Sequence, residues 1–375
     1  MKVLHLTFAY PTPENPGNGI FVREHVRATA GSNAVALVHL DRGGGSFRIE
    51  PIPEEGFPAL RVRYPRSRLG YVLHFAGAYA ALRRLRRSGF HPDVIHAHFF
   101  PAALPPLLLR PLFRAPVVVT EQWSVFLPED PATLPPSVQR LARFALRRAA
   151  FVIPVSDALR RGMIAAGIQA RYRVVPNVVD TELFAARPHA PGRPSRLVFV
   201  GLLYEAKGVP DLLQAVALLL SQGRDVSLEI VGDGPRRADY EQKARTLGVE
   251  HAVVFRGFVS KSEVAHILQS SDLFVLPSLY DNNPNALLEA QACGLPAVAS
   301  RVGGIPEIIG EDTGLLAVPG DAAALAAAII EALGDPDRFD RAAIAREARA
   351  RFGPNAVGAL LAEIYAEARE PRSRS

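Results

Sequence analysis

Short apolar runs rich in β-branched residues alternate with helical patterns through the first half of the chain. The runs predict strands at Lys2–Phe8, Ala34–Leu40, Leu60–Tyr64, Val94–Ala97, Pro116–Thr120, Phe151–Val155 and Tyr172–Val175. Apolar residues recurring at helical spacing predict helices near Ile20–Ala30, Tyr71–Ser88, Ser137–Ala149 and Asp157–Ala166. This alternation is typical of a parallel sheet covered by helices.

The same alternation begins again after a proline-rich stretch, Ala185–Ser195, which we interpret as an interdomain linker. The second series predicts strands at Arg196–Val200, Ser227–Val231, Ala252–Arg256, Leu273–Leu276, Ala297–Ser300 and Leu315–Val318. It predicts helices at Val209–Gln222, Ala238–Leu247, Ser262–Gln269, Ala286–Ala292, Ala322–Leu333 and Asn355–Ala368. We therefore expect an α/β protein with two Rossmann-like doubly wound domains, whose strand ends face a shared ligand cleft.

Length and composition limit the class of protein. The chain has 375 residues, of which 49% are hydrophobic, and this is enough for two buried cores. No apolar run reaches the roughly 20 residues that cross a bilayer, and the early prolines of MKVLHLTFAYP favour a core strand over a signal peptide. The single cysteine, Cys293, excludes an internal disulfide and favours a cytoplasmic location.

The basic residues are almost all arginine, and the net charge is +6. Lysine occurs only at Lys2, Lys207, Lys243 and Lys261, so a lysine in a loop after a strand is unusual here. Lys207 is such a residue, and a point charge there can neutralise a diphosphate. Arginines cluster on two predicted helices, either as solvated faces or as a contact for anionic lipid head groups. Nucleic acid is not an expected partner, because no recognised binding module is present.

Two carboxylates flank the start of the predicted helix Ala286–Ala292. Asp281 precedes the helix and Glu289 lies within it. Backbone amides at a helix start bind anions, because they are unpaired and lie at the positive end of the helix dipole. A carboxylate before the turn can face a charged reaction centre, and one further along can reach ribose hydroxyls. This arrangement suits a sugar nucleotide.

Strand ends of the first half supply weaker candidates. Gly17 and Gly19 either let the backbone approach a phosphate or sugar or form a tight turn, and no P-loop pattern follows them. His98, which ends DVIHAH, is either structural or a hydrogen-bonding partner of a sugar hydroxyl. With His96 it suggests a metal only weakly, because no third ligand is evident. Glu121, which follows VVVT, is a candidate contact for an acceptor.

Taken in order, these segments resemble the motifs of the retaining GT-B glycosyltransferases of family 4. They are the glycine loop, DVIHAH, VPNVVD, VGLLYEAKG, VGDGP, FRGFV, LPS with the paired acids, ACGLPAV and GGIPE. The resemblance covers nearly the whole chain. It implies an acceptor-binding domain at 1–185, a nucleotide-sugar-binding domain at 186–354, and a C-terminal helix within 355–375 that packs back on the first domain.

The resemblance also implies roles for single residues. His98 would contact the donor sugar near its anomeric centre, Lys207 would bind the diphosphate, and Asp281 would face the transferred sugar, so these three are the expected catalytic residues. Glu289 would bind ribose, and Glu121 is retained as the candidate acceptor contact. The expected donor-binding residues are Gly17, Gly19, Gly201, Lys207, Gly232, Gly257, Phe258, Asn285, Ala286, Leu287 and Glu289.

Two positions depart from the family pattern. Leu202 stands where the family often has an arginine that binds the diphosphate, and Arg23 or Arg301 is a candidate substitute. Asp281 stands where the first acid is often glutamate. Asp is one methylene shorter, so the loop must lie closer to the sugar.

The expected activity is transfer of a sugar from a nucleoside diphosphate donor, with a UDP-sugar as first choice, to a glycan or lipid-linked hydroxyl with retention of configuration. No cofactor or metal is expected, and Asp335-Pro336-Asp337 is interpreted as a surface turn. Cell-envelope polysaccharide synthesis at the inner face of the plasma membrane is the preferred setting. A nucleotide-sugar epimerase and a catalytically silent nucleotide-sugar-binding protein remain alternatives. An NAD-dependent dehydrogenase is disfavoured, because Gly17-Asn18-Gly19 does not continue as G-x-G-x-x-G.

Overall fold

Two compact units make up the chain in the computed structural model, which describes residues 1–12, 15, 17–43, 46–54, 56–189, 192–335 and 338–370. The first unit combines Met1–Val178 with the segment that begins at Pro354, and the second is Val179–Gly353. The division therefore falls after Val178 and not after residue 185. The stretch predicted as a linker lies inside the second unit, where the Gln269 side chain donates a hydrogen bond to the carbonyl of Ala185 (2.9 Å).

The first unit is built on a seven-stranded sheet with the strand order β3-β4-β2-β1-β5-β6-β7. All its pairings are parallel except that of the short edge strand β3 with β4. The strands are β1 (Lys2–Thr7), β2 (Ala34–Arg42), β3 (Arg48–Pro51), β4 (Ala59–Tyr64), β5 (Val94–His98), β6 (Val117–Glu121) and β7 (Phe151–Pro154).

Helices cover both faces of this sheet, because alternate residues of each buried strand point to opposite layers. One core contains residues of α2, α3, α5 and α6, and the other contains residues of α1 and the C-terminal helix α13. The helices are α1 (Ile20–Ala30), α2 (Arg68–Arg87), α3 (Phe100–Leu108), α4 (Arg110–Phe113), α5 (Pro136–Leu146), α6 (Asp157–Ala165) and α13 (Pro354–Arg369).

The second unit is built on a six-stranded parallel sheet with the order β10-β9-β8-β11-β12-β13. Its strands are β8 (Ser195–Val200), β9 (Val226–Val231), β10 (Val253–Gly257), β11 (Leu273–Leu276), β12 (Ala297–Ser300) and β13 (Gly314–Ala317). Its helices are α7 (Val209–Ser221), α8 (Arg237–Thr246), α9 (Lys261–Ser270), α10 (Asn285–Ala292), α11 (Ala322–Gly334) and α12 (Arg341–Phe352).

The expected fold class, two Rossmann-like α/β domains, is confirmed, while several elements differ from the expectation. Residues Tyr172–Val175 do not form a strand: Tyr172 makes a single bridge to Val152, and Pro154 of β7 has no N–H to extend a ladder. Strand β3 and helices α3, α4 and α12 were not predicted. Pro336 and Asp337 of the predicted surface turn lie outside the described residues. Among the described residues, no helix is both long enough and apolar enough to cross a bilayer.

Candidate functional site

Three of the predicted glycines meet at the carboxyl edge of the second sheet. Gly201, Gly232 and Gly257 follow or end β8, β9 and β10, and the Gly232 N–H donates to the Gly257 carbonyl (2.9 Å). Gly232 has φ 125°, and a Cβ there would lie 2.0 Å from the Gly201 carbonyl oxygen. Only glycine fits this position, so the edge presents bare backbone to whatever binds there.

Lys207 and Asp281 come together at the same edge. The turn after β8 meets the loop after β11 through a hydrogen bond from the Leu279 N–H to the Ala206 carbonyl (2.8 Å). The Lys207 ammonium then forms an ion pair with the Asp281 carboxylate, with side-chain exposures of 25% and 15%. An ammonium has three N–H donors, so Lys207 can hold Asp281 and an anionic ligand at once.

Helix α10 begins beside this pair with open amides. Pro284 occupies the cap position and provides no side-chain cap. Its carbonyl accepts a hydrogen bond from the Leu287 N–H (3.0 Å), and the Leu287 side chain is fully buried. Because this amide is already engaged, the expectation that it binds a phosphate is wrong. Asn285 and Ala286 occupy the first two helical positions, where a helix offers no internal acceptor, and their N–H groups fit the predicted phosphate contact.

The second predicted acid, Glu289, has a partner that the sequence analysis missed. Lys261, the first residue of α9, forms an ion pair with the Glu289 carboxylate, whose side chain is 9% exposed. The Lys261 ammonium also lies 5.2 Å from the centre of the Phe184 ring. The scarcity of lysine, which drew attention to Lys207, was an equally good signal for Lys261.

The position at which the family often has an arginine is exposed to solvent in this structure. Leu202 is 48% exposed and follows Gly201, so no charge is supplied there. Of the two candidate substitutes, Arg301 is exposed and follows β12 at the carboxyl edge of the same sheet, whereas Arg23 belongs to α1 of the first unit. Phe258, one of the expected donor-binding residues, is 73% exposed next to Gly257.

In the first unit, His98 ends β5 but is completely buried. Its ring stacks on His96 with 4.4 Å between centroids, and its Nε2 lies 3.1 Å from Nδ1 of His5. Burial, together with the neighbouring His96 and His25, holds the pKa of His98 well below its usual value, so the ring is neutral near pH 7. The predicted direct contact of His98 with a sugar is not open in this conformation, because the side chain has no exposed surface.

The residue after His98 has an unusual backbone. Phe99 adopts φ 66° and ψ 145°, while its N–H donates to the Thr120 carbonyl (2.7 Å). A non-glycine residue in this region costs about 1–3 kcal/mol, and such residues cluster at functional sites. The turn from β5 to α3 is therefore held in a strained form beside the buried histidines.

His5 supplies the third histidine that was not evident in the sequence. Ligand atoms of His5, His96 and His98 all lie within 4.8 Å of one another. The two nitrogens of His96 are already engaged, with the Tyr365 hydroxyl (2.7 Å) and the Thr120 hydroxyl (2.7 Å). His96 has no nitrogen left for a metal, so the trio fits a hydrogen-bonded core cluster. The absence of a metal stays a prediction.

The three remaining candidates of the first unit are Gly17, Gly19 and Glu121, and the last two have structural roles. Gly19 caps the N-terminus of α1 and has φ 69°. A Cβ there would lie 2.4 Å from the Ala9 carbonyl carbon, so packing alone requires glycine. Gly17 is exposed, and a Cβ there would meet open space. Glu121 as an acceptor contact is wrong, because its side chain is fully buried. Its carboxylate accepts from the backbone N–H groups of Phe100, Gln122 and Trp123. Burial raises the pKa of Glu121 to about 7.

Comparisons with known proteins agree with this architecture. Residues 17–178 match the family described as glycosyl transferase 4-like domain, and residues 194–335 match glycosyl transferases group 1. An alpha-D-kanosaminyltransferase of Streptomyces kanamyceticus is 30% identical over 84% of this chain and 86% of its own length.

Two solved structures share the fold. The Anabaena protein Alr3699/HepE, solved with UDP-glucose, matches with a TM-score of 0.74 and 21% identity over 98% of this chain and 99% of its own. The lipopolysaccharide outer core galactosyltransferase WaaB matches with a TM-score of 0.73 and 18% identity over 97% and 99%. The fold is that of the GT-B glycosyltransferases. The chain belongs to the group 1 glycosyltransferases of family 4, and the predicted glycosyltransferase class is confirmed.

Proposed function

We propose that this glycosyltransferase takes a sugar from a UDP-sugar and transfers it to a hydroxyl with retention of configuration and without a metal ion. The observation that carries the proposal is the grouping of Lys207, Asp281 and the open α10 amides at one sheet edge. The cation and the helix start suit a diphosphate, and the buried Glu289 suits the ribose hydroxyls. The UDP-glucose bound to the Anabaena neighbour supports this choice of donor.

The chemistry follows from these charges. As the bond between the anomeric carbon and the diphosphate oxygen breaks, negative charge grows on the diphosphate, where Lys207 and the N–H groups of Asn285 and Ala286 stabilise it. Positive charge grows on the sugar ring, and the Asp281 carboxylate faces it. The acceptor hydroxyl attacks from the face that the diphosphate leaves, and its proton passes to the departing phosphate oxygen. This course retains the configuration and needs no protein nucleophile.

The test is a transfer assay with UDP-glucose and a panel of glycoside acceptors, in the presence of EDTA, with the product linkage read by proton NMR. The expected product has the anomeric configuration of the donor. Lys207→Ala should lower kcat/KM by about 10²–10³-fold, because a charge that stabilises the leaving group is lost, while Lys243→Ala should not.

Four outcomes of this assay contradict the proposal. An inverted linkage contradicts retention, and loss of activity in EDTA contradicts metal independence. New sugar nucleotides formed without acceptor would indicate the epimerase alternative, and nucleotide binding without any turnover would indicate the silent binding protein.

We further propose that the helices α2 to α5 dock the first unit on an anionic membrane surface during cell-envelope polysaccharide synthesis. These helices contain no Asp or Glu. Large apolar side chains are exposed among their arginines, including Leu69, Tyr71, Val72 and Phe144. Within the described part of the chain, the arginines of these helices form no ion pair with a carboxylate. They are Arg68, Arg83, Arg84, Arg86, Arg87, Arg110, Arg140 and Arg143.

Each basic residue near an anionic bilayer contributes about 1 kcal/mol of attraction, within a Debye length. The protein should therefore co-sediment with vesicles containing phosphatidylglycerol and not with pure phosphatidylcholine, and salt should release it. The variant Arg83→Gln/Arg87→Gln/Arg140→Gln should bind more weakly. A matched triple variant of Arg236, Arg256 and Arg346, exposed arginines of the second unit, should bind like wild type. Equal binding to both vesicle types would contradict the docking proposal and leave the transfer reaction unaffected.

A further inference from the structure

A cavity of about 650 Å³ opens in the first unit, and its described lining residues all belong to that unit. Its walls come from the carboxyl ends of neighbouring parallel strands: Phe8 follows β1, Asp41 and Arg42 end β2, and Arg63 and Tyr64 end β4. Open α/β sheets bind ligands at this edge, and the volume lies in the range of small-molecule sites.

The charge of this cavity is unbalanced. Arg42, Arg63 and Arg66 line it, and Asp41 is the one acidic residue among its described lining residues. Arg63 lies 3.6 Å from Asp41, so these two charges offset each other. The Arg42 guanidinium lies over the Tyr71 ring at 4.6 Å, and Arg66 donates to the Arg42 carbonyl (3.2 Å). Neither has a carboxylate within ion-pair distance in the described part of the chain.

The opposite side of the cavity is apolar and partly aromatic. Phe8 and Trp123 pack together with 5.8 Å between ring centroids, and Leu104 and Phe75 lie beside the same space. The C–H faces of a sugar ring pack well on such a surface, since aromatic rings bury large apolar area. The cavity therefore has an apolar wall that suits a sugar ring and a basic wall that suits an anionic group.

His39 lines the cavity and carries a buried, unsatisfied acceptor. Its Nε2 lies 3.3 Å from the Phe8 carbonyl and must donate to it, so Nδ1 carries the lone pair. Nδ1 is buried and has no partner within the described residues. Burial lowers the pKa of His39 to about 4, which keeps the ring neutral near pH 7. Buried acceptors without a partner are rare, but Nδ1 has no exposed surface in this conformation, so no ligand contact is assigned to it.

We infer that this cavity holds the acceptor and that the acceptor carries an anionic group, a phosphate or a carboxylate, bound by Arg42 and Arg66. The ring of the acceptor lies against Trp123 and Phe8. The inference rests on the proposed transfer reaction and adds the class of acceptor. The anionic group can belong to a soluble sugar or to a phosphate-bearing lipid carrier.

The test compares four probes by calorimetry on the full chain saturated with UDP: glucose, glucuronate, glucose 6-phosphate and a short-chain polyprenyl phosphate in neutral detergent. At least one anionic probe should bind about tenfold or more tightly than glucose, since a hydrogen bond to a charged group contributes about that factor. Preference for the soluble probes assigns the anion to the sugar, and preference for the polyprenyl phosphate assigns it to a lipid carrier.

The variant Arg42→Gln/Arg66→Gln should lose this preference, while Arg161→Gln, at an exposed arginine of α6 that does not line the cavity, should keep it. Equal affinity for glucose and all anionic probes, or a preference that survives the double variant, would overturn the inference. UDP binding and its loss in Lys207→Ala, measured in the same experiments, report on the second unit alone. Failure of the acceptor inference is thus distinguishable from failure of the proposed donor site.

Discussion

At the scale of single residues, the ion pair of Lys261 with Glu289 decides how the second acid is presented. Glu289 is almost fully buried, and a buried carboxylate that loses its partner is strongly disfavoured. Lys261→Met should therefore weaken UDP binding about tenfold or more, because the Glu289 carboxylate loses the charged contact that helps to hold it in place. Titration calorimetry measures this effect. Lys243→Met makes the same charge change on α8 and should bind UDP like wild type; equal loss in both variants would contradict a specific role for Lys261.

The buried histidines make the first unit sensitive to acid. Burial lowers the pKa of His25 and of His39 to about 4, and it also lowers the pKa values of His5, His96 and His98. Below about pH 6.5 the histidines of the unfolded chain become protonated, whereas the buried rings of the folded chain stay neutral. The free energy of unfolding therefore falls as the pH falls from about 6.5 to about 4. Each of His25 and His39 should contribute a loss of about 2 kcal/mol between pH 7 and pH 5.

Glu121 has the opposite effect on how the stability of the first unit changes with pH. With its pKa raised to about 7, it takes up its proton in the folded state first and so adds stability as the pH falls from about 7 to about 4.5. Five histidines outweigh one carboxyl group, and urea unfolding should be easier at pH 5 than at pH 7. Trp123 is the only tryptophan and lies in the first unit, so its fluorescence reports this transition. His39→Gln should reduce the difference between the two pH values by about 2 kcal/mol; an unchanged difference would contradict the account.

At the scale of elements, α13 completes the layer that covers the histidines. Its residue Tyr365 is fully buried, and its hydroxyl contacts His96 Nδ1 (2.7 Å) and the Thr29 hydroxyl (3.3 Å). Tyr365→Phe should lower the free energy of unfolding of the first unit by about 1–2 kcal/mol, since His96 loses a buried partner. Urea unfolding followed by Trp123 fluorescence measures this loss.

The control for this prediction is Tyr79→Phe. Tyr79 is half-buried on α2 and packs against Phe113. Its hydroxyl has no hydrogen bond among the described residues, so its removal should change stability by less than about 0.5 kcal/mol. A loss in Tyr365→Phe no larger than that of the control would mean that the hydroxyl of Tyr365 does not hold the cluster.

The sequence pattern located most strands and helices because a buried parallel strand and an amphipathic helix have distinct periods. Helix α3 was not predicted because Pro105 and Pro106 argue against a helix. Packing of this segment on the sheet overrides the low helix propensity of proline. Strand β3 is only four residues long and lies at an edge, so it has little apolar pattern. The residues of the proposed donor site after β8 to β12 were predictable, since they lie next to strand ends. The burial of His98 was not predictable, because the rings that pack on it include His5 of β1 and His25 of α1, whose proximity the sequence pattern does not show.

At the scale of the whole molecule, the two proposals assign different parts of the chemistry to the two units. The second unit groups lysines, acids and open amides at one sheet edge, while the first offers arginines, aromatic rings and a cavity. The shared cleft stays a prediction. If one unit binds the donor and the other binds the acceptor, a substitution that abolishes the binding of one substrate should leave the binding of the other unchanged. Variants at Lys207 and at Arg42 therefore separate donor binding from acceptor binding.

The most direct test of the central claim is titration calorimetry of UDP, GDP, ADP and CMP with wild type and with Lys207→Ala, Glu289→Ala and the control Lys243→Ala. The account predicts that UDP binds wild type and Lys243→Ala equally and binds the other two variants at least about tenfold more weakly, because each loses a charged contact. Unchanged UDP binding in Lys207→Ala and Glu289→Ala, or no binding of any nucleotide to wild type, would contradict the assignment of the donor site to this edge of the second sheet.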